Sequence, residues 1–193
     1  MTKNRLEAFS DGVIAIIITI MVLELKVPEG AEISALIPLI PVFLSYALSF
    51  VFVGIYWNNH HHLLQAARQV NGAVLWANMH LLFWLSLVPF VTNWLGENGF
   101  QSWPVALYGA VLLLAGFAYF LLSRALVALH GQESALAKAV GDDAKGYISL
   151  VCYTAAIPLA FFNAMLACGL YVIVAVMWFI PDRRIEQTLK RSE

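Results

Sequence analysis

What this chain lacks narrows its chemistry before any motif is considered. Of its 193 residues only 12% are charged, whereas soluble globular domains carry about a quarter. An ordinary water-soluble domain is thereby excluded. Cysteine is nearly absent: Cys152 and Cys168 both lie in apolar runs, where thiols serve as packing residues rather than as a disulfide or metal pair. Lys and Arg number 11 against 12 Asp and Glu, with no basic stripe, so no nucleic-acid partner is expected. The sequence contains no G-x-S-x-G elbow, P-loop, glycine-rich dinucleotide turn or H-E-x-x-H zinc motif, and no serine-plus-base constellation stands out. No catalytic residue, cofactor or enzyme activity is therefore assigned. A T-V-G-Y-G-like selectivity loop and an arginine-repeat voltage sensor are missing as well.

What is present is apolar. The composition is 61% hydrophobic and the mean hydropathy is +0.78, which predicts an all-α, polytopic membrane protein in a lipid bilayer. The reading is one transmembrane domain over 1–193, with helices at about 4–27, 35–65, 73–95, 104–129, 147–161 and 164–180. Pro28-Glu29-Gly30 ends the first helix, and Pro38 and Pro41 fall in the opening turns of the second, where proline is tolerated. Gly96-Glu97-Asn98-Gly99 is a turn cluster. The polar run 131–146, with His130 before it, reads as a connector outside the membrane, and Phe162-Asn163 as a tight turn. The first apolar run is too long for a cleavable signal peptide, so that helix is expected to stay in the mature protein.

Positive charge supplies the orientation, because Lys and Arg in short loops stay on the cytoplasmic side. With the N-terminus inside, Lys3, Arg5, Arg68, Arg124, Lys138, Lys145, Arg183, Arg184, Lys190 and Arg191 all fall inside, leaving Lys26 outside. Both termini are then cytoplasmic in a multi-pass protein of the cell membrane, and six crossings satisfy the even count. Trp57, Trp94, Trp103 and Trp178 lie near predicted helix ends, as interface anchors do, whereas Trp76 and Trp84 do not fit that role as readily.

The first helix combines charge with grease. From Arg5 to Val27 it has 23 residues, about 35 Å of helix against a hydrocarbon core of about 30 Å. Arg5, Glu7, Ser10 and Asp11 stand at its start, where an unpartnered ionisable group would cost several kcal/mol in lipid. At about 100° per residue, Arg5 and Asp11 lie about 120° apart and need separate partners. Trp57, Asn58, Asn59, His60, His61, His62, Asn78 and His80 on helices 2 and 3 are the candidates. A second face gathers Gly12, Ile16, Thr19, Ile20 and Leu23, turned away from Asp11. That stripe reads equally as lipid-facing or packed surface, since nearly every position is apolar. Consecutive histidines on a helix point three ways, so His60-His61-His62 reads as hydrogen-bonding groups, with a pH-sensitive element or a metal site as the sharper alternatives. His80 reads as a satisfied interior histidine.

Arg5-x-x-x-Phe9-Ser10-Asp11 resembles the R-x-x-x-F-S-D signature of the TMEM175 family of lysosomal and prokaryotic potassium channels. The likeness continues in Trp57-x-x-His60-His61, Leu75-Trp76-x-Asn78, Pro89-Phe90 and Ile180-Pro181-Asp182, and so spans essentially the whole chain. It implies a homotetramer of six-helix subunits, without a P-loop filter, that passes potassium ions along a pore lined by helix 1. Carried onto this sequence, Ile16, Ile20 and Leu23 would form the hydrophobic constriction and Thr19 the selectivity hydroxyl. With so few hydroxyls, a modest preference for potassium over sodium is expected. Arg5, Phe9, Ser10, Asp11, Trp57, His60, His61 and Asn78 would form the structural network holding helix 1, and Asp11 could add negative potential at the cytoplasmic end.

The competing class is a proton-coupled secondary transporter using Asp11 and a histidine as relay. It calls for inverted repeats or broken helices in corresponding positions, and neither is evident. A membrane-embedded enzyme ranks third.

Overall fold

The computed structural model describes residues 2–141 and 143–179, and every regular element among them is helical. The expected closing motif at Ile180, Pro181 and Asp182, and the charges at Arg183, Arg184, Lys190 and Arg191, lie outside the described residues. Helix α1 spans Lys3–Leu23. It stops at Leu23, short of the expected Val27, which as the residue before Pro28 is itself barred from the helical region. A 3-10 helix over Ile33–Leu39 leads into α2, Ile40–Ala66, which has Pro41 in its first turn.

The segment read as one helix over 73–95 is divided into α3, Gly72–Ser86, and α4, Val88–Glu97. Pro89 explains the break. It has no N–H for the carbonyl four residues back, and the Leu87 N–H tightens onto Trp84 O at 3.2 Å. Helix α5 covers Ser102–His130 and closes on Gly131 at φ 88°. A short helix α6, Ala135–Val140, sits inside the polar connector, with Ser134 Oγ accepting from the Ala137 N–H at 3.1 Å. Helix α7, Ala144–Phe162, starts ahead of the expected 147 because Asp143 Oδ1 caps the Gly146 N–H at 3.0 Å. Helix α8, Ala164–Phe179, is capped by Asn163 Oδ1 on the Leu166 N–H at 3.1 Å.

Among the described residues, five helical segments are long and apolar enough to cross a membrane: Lys3–Leu23, Ile33–Ala66, Gly72–Glu97, Ser102–His130 and Ala144–Phe162. Ala164–Phe179 is apolar and shorter. Helix α5 is the hub, packed on α3 and α7, while α7 packs on α8 and α2 on α4. In lipid the helices gain little by hiding apolar surface from water, so close approach and hydrogen bonds must hold them. Both are present. Ala115, Ala118, Ala156, Ala160 and Ala167 are fully buried. A Cβ on Gly96 would stand 2.6 Å from Val42 Cα, and one on Gly109 would overlap the Tyr171 hydroxyl.

Across the bundle, Ser49 Oγ and Tyr108 Oη pair at 2.9 Å, Thr92 Oγ1 lies 2.7 Å from Ser49 Oγ, and Tyr171 Oη donates to Val105 O at 2.9 Å. The Trp178 indole donates to Ser149 Oγ at 2.9 Å. Each such bond is worth about 1 kcal/mol in a bilayer. Together they fix α2, α4, α5, α7 and α8, and leave α1 on one side against α2, α3 and α4.

Candidate functional site

Helix α1 is held by a buried polar chain three helices wide. His60 Nε2 lies 2.7 Å from Asn78 Oδ1, Asn78 Nδ2 donates to Ser10 Oγ at 3.0 Å, and the Ser10 hydroxyl donates to Leu6 O at 2.8 Å. His60, Asn78 and Ser10 are each 0% exposed. An amide oxygen only accepts, so His60 must carry its proton on Nε2. Every donor then points the same way, from α2 through α3 to the backbone of α1. His60 Nδ1 is left buried with no partner among the described residues, as is His62 Nδ1.

A second tie lies at the edge. The Trp57 indole donates to Asp11 Oδ1 at 3.0 Å and stacks on His61 with ring centres 6.0 Å apart and planes at 22°. His61 Nδ1 faces Glu7 Oε1 at 3.2 Å. The structure thus brings Ser10, Asp11, Trp57, His60, His61 and Asn78 together. It adds Glu7, named with the polar groups at the start of helix 1 but left out of the expected network; its signal was its place one turn ahead of Asp11 on the same helix. The three histidines do not converge on one point: His60 turns to Asn78, while the His61 and His62 rings lie 5.6 Å apart at 60°, and among the described residues no three metal-ligating side chains gather. His80 is half-buried and accepts from the Trp84 indole at 2.9 Å, which also accounts for Trp84. Arg5 and Phe9 are not in the chain. Both are exposed, on the opposite face of α1.

That opposite face is the stripe. The buried positions Leu6, Ser10, Ile14, Ile17 and Met21 lie roughly 140° round the helix from Gly12, Ile16, Thr19, Ile20 and Leu23. Ile16, Ile20 and Leu23 are 58%, 41% and 79% exposed. The Thr19 hydroxyl donates to Ile16 O at 2.8 Å, which leaves its oxygen lone pairs turned outward as acceptors. Beside the stripe runs a cleft of about 610 Å³ between α1 and the α3–α4 pair, lined by Ile16, Ile20, Phe90, Asn93, Glu24 and Glu97 among others. At its far end Lys26 pairs with Glu97. The Lys26 side chain, beyond the end of α1, is 74% exposed, and the Glu97 carboxylate holds its ammonium above the usual lysine value.

The family described as the endosomal/lysosomal potassium channel TMEM175 matches residues 5–89, the stretch that holds the signature, both ties and the stripe. Over 192 residues, 100% of each chain, this protein is 54% identical to a potassium channel of Chryseobacterium sp. (strain P1-3). The human endosomal/lysosomal proton channel TMEM175 is 37% identical over 86 residues, 38% of this chain and 17% of the human one. The crystal structure of a lysosomal potassium-selective channel TMEM175 homolog from Chamaesiphon minutus superposes with a TM-score of 0.80 at 28% identity, covering 92% of this chain and 96% of that one. Signature residues, full-length identity and shared helical architecture converge, and the chain belongs to the TMEM175 family.

Proposed function

We propose that this chain is one subunit of a potassium-permeable cation channel, a homotetramer in the cell membrane with both termini cytoplasmic and α1 of each copy lining the path. The observation that carries this is the stripe. A helix tied down on one face by buried hydrogen bonds presents Ile16, Ile20 and Leu23, 41–79% exposed, on the other. One subunit cannot enclose a path with a single helix, whereas copies around an axis can.

A ring of such side chains closes a pore by dewetting, because water leaves a narrow apolar constriction and a hydrated ion cannot follow. When the ring widens, potassium crosses with much of its water retained. Potassium holds its hydration shell less tightly than sodium. The outward lone pairs of Thr19 supplement that shell, giving a modest preference with no carbonyl cage. The buried chain from His60 to Ser10 and the Trp57–Asp11 tie position the helix and do not touch the ion. No cofactor enters this account beyond the permeant ion, and no bond is made or broken.

The transporter alternative needs Asp11 to exchange a proton with a histidine. Asp11 instead accepts from the Trp57 indole, which has no titratable proton, so a relay would have to run through Glu7 and His61. The test is potassium flux into liposomes holding the purified protein under an imposed voltage. Steady flux with no proton gradient is expected; flux that appears only with a coupled proton gradient would overturn the channel reading.

A further inference from the structure

The far end of the α1 cleft carries charge that the constriction does not use. Glu24 stands one turn beyond Ile20, about 6 Å along the helix axis, and both line the cleft together with Glu97 from the end of α4. Asn93 Nδ2 donates to the Glu24 carboxylate at 3.3 Å, and the Lys26 ammonium donates to the Glu97 carboxylate. Lys26 lies in the non-helical segment after α1, its side chain 74% exposed, and it reaches back to α4. The structure therefore already seats a cation at this mouth, an ammonium on a tether. In the expected orientation it is the single Lys or Arg assigned to the outer side.

We propose that Glu24 and Glu97 form an acidic outer mouth that concentrates permeant monovalent cations, and that Lys26, tied to Glu97, is the counter-charge that sets how strongly it does so. This rests on the channel reading. Rings of acidic side chains at the opening of a cation path raise the local cation concentration and the rate of ion capture. Each subunit places two carboxylates and one ammonium there, a net charge of −1. Without Lys26 the same groups carry −2, and symmetry multiplies the difference. Exposed charge of this kind acts through potential, which extends about 30 Å in dilute salt and about 3 Å at 1 M. Lys26 governs conductance when potassium is scarce and loses its influence when salt is concentrated.

The experiment is single-channel conductance of the full chain in planar bilayers, comparing wild type, Lys26→Gln, Lys26→Arg and Glu97→Gln in dilute KCl and at about 1 M. Lys26→Gln should raise the dilute-salt conductance about twofold or more and match wild type at high salt. Lys26→Arg should behave as wild type, and Glu97→Gln should lower the dilute-salt conductance. A wild type that conducts while Lys26→Gln leaves dilute-salt conductance unchanged overturns this inference and spares the channel. So does an effect of Lys26→Gln that is equally large at high salt, since charge would then not be its cause. A wild type that passes no potassium current overturns both.

Discussion

The two faces of α1 are made from similar apolar residues and meet different fates. Leu6, Ile14, Ile17 and Met21 are 1–3% exposed, whereas Ile16, Ile20 and Leu23 are 41–79% exposed. Each carries a hydroxyl, and what separates them is where it bonds: Thr19 only within α1, Ser10 also across to another helix. Ser10 sits on the first face, and its hydroxyl joins α1 to Asn78 and, through it, to His60. In a bilayer an isoleucine is as well solvated by lipid as by protein, so apolar content cannot choose which side of a helix faces inward. A buried hydrogen-bond chain can, because reversing the helix would strand its donors and acceptors in hydrocarbon. The polar signature orients α1, and the stripe faces outward as a consequence.

Breaking the chain should have the largest effect. Asn78→Leu removes both the acceptor for His60 and the donor to Ser10, leaving buried polar atoms unpaired at about 1–3 kcal/mol in total. Thermal unfolding in detergent should show a marked loss of stability. Trp57→Phe is milder. It deletes one indole donor to a half-exposed carboxylate, about 1 kcal/mol, and should lower the melting temperature by less than Asn78→Leu does.

Changes on the stripe should reverse the pattern. Thr19→Val should leave stability within about 0.5 kcal/mol, while the potassium-to-sodium permeability ratio from reversal potentials falls toward unity. A ratio that does not move would remove Thr19 from the account of selectivity. The smallest effect belongs to the exposed Lys26–Glu97 pair. Because the folded-state value of Lys26 is raised, its contribution is fully present below the ordinary lysine value of 10.5 and is lost as pH climbs through the raised value. Melting temperatures of wild type and Lys26→Gln should therefore run parallel from pH 6 to 9 and converge only above about 10.5.

The helices were legible because their apolar runs are long and punctuated by Pro28, Gly96 to Gly99 and Asn163. Their edges were less so. The end of α1 falls at Leu23, ahead of the Pro28 that marks the stop in sequence, and the start of α7 depends on an Asp143 cap that reads as one more polar residue in a polar loop. The break at Pro89 was hidden because apolar sequence continues on both sides of it. At the site, Ser10, Asp11, Trp57, His60, His61 and Asn78 were visible as polar residues in apolar surroundings. Their pairing was not, since it depends on how three helices are rotated against one another. Arg5 shows the same limit from the other side: it shares the signature with Ser10 and Asp11, yet its angular position puts it on the open face.

The central claim is that the exposed stripe of α1, and not any other exposed apolar surface, lines the ion path. Potassium flux into liposomes should be compared for wild type, Ile16→Asn, Leu23→Ala and, as control, Ile173→Ala on α8, whose side chain is likewise exposed at 60%. The account predicts that flux rises in both α1 variants, as the ring is made polar or smaller, and stays at the wild-type level in the control. Wild-type flux in both α1 variants would contradict it.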